Sequence, residues 1–297
     1  MNKRGPIYHK VLLVSFALCI IFLQGCATTG PRPISPLASN YLSKTPYSKP
    51  PRLLSIKSAY KVQGRFVNSI KKDFGEPVGY KAGLTNKRAQ KHFGVKEPVR
   101  GVLLDWMLME SGATLPYRFG ARPMAEGDLL VRVADKGINN ATTPMQALRH
   151  IDAVIPFMEL PDLVYARNVK LSAPLIIAAN VGARYGVTGH PIRVSPTKRW
   201  LRRFKNIEVE LFDEGGRLLS SGKTSALMGD PMRVVLWVKD SLKAEGLALK
   251  KGDLISLGSV TALIPVRKGM QTISARYTGL EPLRPNSTVE ITVRFSE

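Results

Sequence analysis

Both cysteines of this 297-residue chain, Cys19 and Cys26, lie within its first thirty residues, so whatever folds after them has no disulfide to rely on. The same stretch starts on Lys3, Arg4 and Lys10, runs through thirteen mostly apolar residues from Val11 to Leu23, and stops at Leu23-Gln24-Gly25-Cys26. A bilayer core needs roughly twenty apolar residues, so the run reads as a signal segment and not as a permanent span. Small residues ahead of Cys26 suit a peptidase that cleaves there once the thiol carries lipid. Residues 1–25 are therefore expected to be a lipoprotein signal peptide and Cys26 the lipidation site, with acyl chains holding the protein to a membrane surface. The plainer alternative is an ordinary signal or weak anchor in which Cys26 is incidental. Cys19 leaves with the signal and Cys26 is committed to lipid, which rules out a disulfide even in an oxidising compartment. Ala27, in place of Asp, by analogy favours the outer membrane facing the periplasm in a diderm host.

From residue 26 to 52 the chain is rich in Pro, Ser and Thr and has little apolar periodicity, and it reads as a tether. Residues 53–297 are enough for one large domain with a sizeable core. The formal charge is +22, falling to +19 when Lys3, Arg4 and Lys10 depart. A body this basic is drawn to anionic surfaces. Its bases are dispersed and its address is an envelope, so lipid headgroups or acidic envelope polymers are nearer partners than nucleic acid. The densest cluster, Lys198-Arg199-Trp200-Leu201-Arg202-Arg203-Phe204-Lys205, reads as a solvated edge strand or loop, or else as a polyanion site.

Apolar spacing predicts a helix over Ser58 to Phe74, with Gly75 as its stop, a second over Thr143 to Ile151, and a third over Pro231 to Glu245. Short alternating runs predict strands at Leu129 to Val133, Ile207 to Phe212, Arg217 to Ser220, Leu254 to Leu257 and Val289 to Phe295. Asp213-Glu214-Gly215-Gly216 reads as a hairpin turn between two of them. The sum is an α+β domain built on a mixed or antiparallel sheet.

Gly216 to Thr224 has one residue too many between its glycines for a phosphate-binding loop and follows a hairpin turn where a helix should come. The four histidines, His9, His92, His150 and His190, have no metal-ligand spacing, and no nucleophile elbow is present. What remains is a set of carboxylates. Glu126 and Asp128 sit two apart, hence on one face of an extended chain. Such a pair takes up a proton or a cation. Glu159 is a lone acid in the run Ile155-Pro156-Phe157-Met158-Glu159-Leu160, where an unpaired charge is costly. Three such oxygens suit a hard ion such as Mg²⁺ or Mn²⁺, although by spacing alone the pattern is weak and short acidic pairs near strand ends are usually solvated turns.

Gly79-Tyr80-Lys81-Ala82-Gly83-Leu84-Thr85-Asn86, then Phe93-Gly94-Val95 and Gly101-Val102-Leu103, strongly resemble the opening of the 2-keto-4-pentenoate hydratases, relatives of fumarylacetoacetate hydrolase. Pro123-Met124-Ala125-Glu126-Gly127-Asp128 stands where that family has a Pro-x-x-Glu-x-Glu segment, and Pro156-Phe157-Met158-Glu159 stands where it has its third acid. Ser221-Gly222, Gly229-Asp230-Pro231 with Trp237, and Lys251-Gly252-Asp253-Leu254-Ile255 match its closing half in order and spacing.

The resemblance runs from about Ala59 to the C-terminus. It implies a fumarylacetoacetate-hydrolase-like mixed β-roll with peripheral helices, and Mg²⁺ or Mn²⁺ on Glu126, Asp128 and Glu159. The substrate it implies is a small 2-oxo or 2-hydroxydienoate acid, contacted by Leu84, Thr85 and Asn180. Lys81 would transfer the proton, and Asp162 would orient water or hold Lys81. A homo-oligomer is implied as well. This chain departs from the family at Asp128, where Glu is common, at Leu257-Gly258 for Thr-Gly, at Ala179-Asn180 for Asp-Asn, and at Trp106 for an acid. Two readings follow: a membrane-tethered, metal-dependent hydratase or a related decarboxylase or carbon–carbon hydrolase, or an envelope-binding protein that keeps the fold without the turnover.

Overall fold

The computed structural model describes residues 35–50, 55–281 and 287–297; the signal segment and Cys26 lie outside them. In chain order the strands are β1 (Pro77–Gly83), β2 (Val99–Leu104), β3 (Leu108–Glu110), β4 (Thr114–Pro116), β5 (Met124–Val133), β6 (Ile151–Leu160) and β7 (Tyr185–Thr188). They continue as β8 (Ile192–Arg193), β9 (Glu208–Asp213), β10 (Leu218–Lys223), β11 (Leu254–Ser256), β12 (Ile264–Pro265), β13 (Thr272–Thr278) and β14 (Thr288–Ser296). The helices are α1 (Pro36–Leu42), α2 (Ile56–Phe74), α3 (Lys87–His92), α4 (Pro144–Arg149), α5 (Ala173–Ala178), α6 (Lys198–Lys205) and α7 (Pro231–Lys243).

One sheet runs β2-β1-β11-β5-β6-β7-β3, with β12 on β5 and β8 on β6; the other runs β10-β9-β13-β14-β4. Parallel pairs (β1 with β11, β3 with β7, β14 with β4) interrupt an otherwise antiparallel arrangement. The sheets pack through β5 against β9 and β6 against β14. Leu129, Val131, Val154 and Met158 meet Leu211, Ala275 and Ile291 in one dry core. The alternation of buried and half-buried residues along β13, Thr272 to Thr278, shows why: one face carries Ile273, Ala275 and Tyr277 inward and the other carries polar residues out. This is the α+β mixed β-roll, and the helices sit around it.

α2 starts at a capping box formed by Ser55 and Ser58 and buries Ala59, Gln63, Phe66, Val67, Ile70 and Phe74, a stripe at three- and four-residue spacing. α7 opens with Pro231 in its first turn, capped by the Asp230 carboxylate on Met232 N at 3.0 Å. The expected helix from Thr143 to Ile151 is shorter, because Thr143 is its cap and Ile151 already opens β6. The turn at Asp213 to Gly216 joins β9 and β10 as expected, and β10 runs on three residues beyond Ser220.

Two expectations are corrected. The basic cluster is neither edge strand nor loop: Lys198–Lys205 is a helix, capped by Thr197, that buries Trp200 and Phe204 and turns its bases outward. The aromatics interleaved with the charges are its apolar face. Residues 35–50 of the expected tether are also part of the domain. Pro36–Leu42 is helical and buries Leu37, Ala38 and Tyr41, and Tyr47 bridges to Tyr165. A Pro/Ser-rich composition conceals this because Ser35 and Pro36 are a cap and a first-turn proline, not linker residues.

Arg184 holds this arm in place. It is buried, and its guanidinium lies 4.3 Å from the centre of the Tyr41 ring, donates to Tyr41 O at 2.7 Å and pairs with Asp162 at 3.2 Å. Tyr41 in turn donates to Ala183 O at 2.8 Å. Breaking a buried ion pair from one side leaves the other charge uncompensated. Arg184→Met should therefore lose about 3–5 kcal/mol in denaturant unfolding, and Tyr41→Phe about 1 kcal/mol. Equal small losses would show that the pair is not what fastens the arm.

Candidate active site

The β5–β6 ladder sets Glu126 directly opposite Glu159, and Asp128 lies two residues along β5, so the three acids leave one face of the sheet. Lys81 reaches the same face by way of β11. It pairs with Ser256, and Ser256 pairs with Leu130 of β5. Lys81, Glu126, Asp128 and Glu159 expose only 3, 4, 0 and 1 % of their surface. Leu103, Leu130, Ile155 and Phe157 form an apolar floor beside them.

Lys81 Nζ forms an ion pair with Glu159 Oε1 and donates to Val181 O at 3.0 Å. The turn that supplies this carbonyl is unusual: Asn180, Val181 and Gly182 all have φ between 54° and 73°. Two of these are side-chain-bearing residues, so the turn is strained and must be held from outside. The Asn180 side chain does this by accepting from Val102 N at 2.7 Å and donating to Val102 O at 2.8 Å. Gly101 makes room, since a Cβ there would lie 2.7 Å from Asn180 O and 2.9 Å from Lys81 Cγ.

Two serines complete the shell. Ser259 Oγ donates to Glu126 Oε2 at 2.5 Å, and Ser256 Oγ donates to Asp128 Oδ2, whose other oxygen accepts from Leu129 N at 2.6 Å. Among the described residues Glu159 Oε2 has no hydrogen-bond partner. Burial pushes the Glu126 carboxyl well above its usual range, and the Glu159 charge adds to the effect. Burial, with Glu159 second, pushes Asp128 up to about 7.

Three carboxylates against one ammonium leave an excess of negative charge in a dry space. Either protons or a cation must balance it. Among the described residues no three ligating side chains are drawn together into a ready-made metal cage, because Lys81 and the two serines hold the oxygens. The donor set nevertheless fits a hard divalent ion: it is all oxygen, anionic, concentrated on one face, and one oxygen is orphaned.

The other expected site residues separate. Asp162 neither holds Lys81 nor faces the acids; its carboxylate accepts from Ala121 N at 3.0 Å, Arg122 N at 2.8 Å and Arg184. That is a correction, and its cause is strand alternation: Asp162 bridges Pro123 in line with the β5–β6 ladder, three residues beyond Glu159, so its side chain leaves the opposite face, where Arg184 meets it. Asn180 braces the wall through its amide. Thr85 is buried, its carbonyl accepting from Met228 N at 3.0 Å. Leu84, in a left-handed conformation, belongs with Phe93 and Val95 in a separate apolar cluster. Trp106 is exposed. Ser256 and Ser259 were missed; the only signal was the place of Ser256 on the same face of its strand as Leu254, which points it at the acids once β11 pairs with β5.

No family model matches the chain. It is 29 % identical over 197 residues to a 4-oxalocrotonate decarboxylase of Pseudomonas sp, spanning 65 % of this chain and 72 % of that protein. It is 28 % identical over 243 residues to the 2-oxo-hept-4-ene-1,7-dioate hydratase of Escherichia coli, spanning 75 % and 87 %. Among solved structures, 4-oxalocrotonate decarboxylase from Pseudomonas putida G7, complexed with magnesium and adipate, superposes with a TM-score of 0.68 at 25 % identity over 82 % of this chain and 87 % of that one. Relatives and fold agree, and together they support the superfamily of the 2-keto-4-pentenoate hydratases and fumarylacetoacetate hydrolase as the one this chain is similar to.

Proposed function

We propose that this protein is a divalent-metal-dependent hydro-lyase of the 2-keto-4-pentenoate hydratase type, acting on a small 2-oxo or 2-hydroxydienoate acid while tethered to a membrane through lipid on Cys26. The observation that carries the catalytic reading is the enclosed trio Glu126, Asp128 and Glu159 with Lys81 on its edge. Those three acids would hold the ion. A bound Mg²⁺ or Mn²⁺ supplies Lewis acidity to the carboxylate and adjacent oxygen of such an acid. Lys81 moves the proton: its Nζ is aimed by Glu159 and Val181 O, so it meets a bound acid in a fixed orientation. The closed apolar floor keeps bulk water away from that proton transfer. Decarboxylation is the second reading, favoured by the Pseudomonas relative, and release of CO₂ distinguishes it.

Calorimetric titration should show Mg²⁺ or Mn²⁺ binding, with Glu159→Gln weakening it by about two orders of magnitude. No heat from either ion would end the metal-dependent reading. Lys81→Met should keep ion affinity while turnover of a 2-hydroxydienoate falls by about 10²–10⁴-fold; a parallel loss of ion binding would recast Lys81 as structural.

The raised Asp128 pKa gives a pH signature. Its protonation in the fold contributes stability that is full below the ordinary value of 3.8 and is lost as pH rises through about 7. A divalent ion opposes that loss. Mg²⁺ should therefore raise the thermal midpoint more at about pH 8 than at about pH 5, and equal shifts at both would separate the ion from these carboxylates.

A further inference from the structure

We infer that the outer face of α2 seats the domain on an anionic phospholipid surface. The helix spans nineteen residues, about 28 Å at 1.5 Å per residue. Lys57, Lys61 and Arg65 follow one another at four-residue steps, with Lys72 seven residues on, so they form one ridge along the side opposite the buried stripe. All four are exposed, and among the described residues none is in an ion pair, whereas Lys71 turns aside to Glu76. Asp73 is the only acid on the helix. Ile56, at its head, remains 39 % exposed.

Lys57 and Lys61 also border a groove of about 1150 Å³ whose far side brings in Lys96. Glu97, Asp240 and Glu245 line the groove too, but Lys239 holds Asp240 and Arg100 holds Glu245, each at 2.7 Å. The cations of the ridge have no such partners.

The chain before α1 leads to the proposed anchor, and α1 lies on the buried stripe of α2, across the helix from the ridge. α1 packs against α2, with the Tyr41 ring 5.1 Å from Phe66 and 5.5 Å from Phe74. Ser35, the cap of α1, comes nine residues after Cys26, a reach of at most about 30 Å. That reach exceeds the roughly 10–12 Å width of a helix, so lipid on Cys26 would be compatible with the ridge facing the bilayer. Acyl chains and a polybasic patch are complementary signals for holding a protein at a bilayer.

A straight single-sign row fits a plane of headgroups. It lacks the exposed aromatic platforms on which nucleic-acid bases stack; the two aromatics that line the groove with Lys57 and Lys61, Tyr60 and Trp237, are half-buried, and Tyr60 accepts from Arg100 N. Charge selects the ridge, and neither lipidation nor catalysis is needed for it to bind.

The test uses residues 27–297 without lipid, since Ile34–Glu297 forms one compact unit containing the whole core. Cosedimentation with vesicles of phosphatidylcholine and phosphatidylglycerol at about 3:1 should be at least tenfold stronger than with phosphatidylcholine alone, and should be lost at about 0.5 M salt. Lys57→Glu combined with Lys61→Glu and Arg65→Glu should reduce anionic-vesicle binding at least tenfold. The paired change Lys198→Glu and Arg202→Glu on α6 should reduce it less than threefold. Unchanged melting of both variants verifies the fold, and should the triple variant melt early, the single changes Lys57→Gln and Lys61→Gln replace it. Equal loss in the two variants, equal binding to neutral vesicles, or preferential binding of single-stranded DNA through the ridge would each overturn the inference. Because the protein tested carries no lipid and turns over nothing, failure here leaves the hydratase reading standing.

Discussion

Two carboxylates that face each other across a buried β-ladder, Glu126 and Glu159, are the constraint around which this part of the structure is organised. Like charges in opposed cross-strand positions destabilise a sheet, and burial multiplies the effect. The fold offsets it with contacts from distant parts of the chain. Lys81 comes from β1, Ser256 from β11 and Ser259 from the turn after it, each carrying a proton to an acid oxygen. The order of strands β1-β11-β5-β6 is what makes these donors converge, because β11 inserts between the strand of the lysine and the strand of the first two acids.

The same economy of contacts extends outward. Lys81 is aimed by the Val181 carbonyl, the carbonyl sits in a strained turn, and the turn is fastened on both sides: by Asn180 to β2, and through Ala183 and Arg184 to the N-terminal arm. Gln63 of α2 adds a further clasp, donating to Arg100 O at 2.6 Å and Ile177 O at 3.0 Å. The arm and α2 are thus walls of the site at one remove.

Local periodicity made α2, α7 and the β9–β10 hairpin legible from the sequence, since each buries a simple stripe and carries its own cap or turn. β6 was not legible: Ile151 to Leu160 is apolar on both faces and holds Pro156, so it shows no alternation, and its strand character comes from being enclosed between β5 and β7. The three acids could be read because a charge inside an apolar run is conspicuous. Ser256 and Ser259 could not, because a hydroxyl is unremarkable until a partner 128 or 133 residues away is known. Asp162 was misread for the converse reason. It is as buried as the other acids, and nothing local reveals that its neighbour in space is Arg184.

Asp128 is where this chain departs from the family it resembles within the acid set, and the geometry shows how the shorter side chain is accommodated. The shorter side chain stays close to its own strand, with one oxygen on Leu129 N and the other on Ser256. Both contacts are satisfied without extending toward Glu126 or Glu159. Glu126 is tied by a single serine and Glu159 by Lys81, with Oε2 left over, so these two longer acids have the freer oxygens. An ion seated on this face would then draw mainly on the opposed glutamates, with Asp128 held back by about one methylene. All three positions keep an ionisable carboxyl, so the departure at Asp128 changes how far its oxygens reach from the strand and not the kind of group offered.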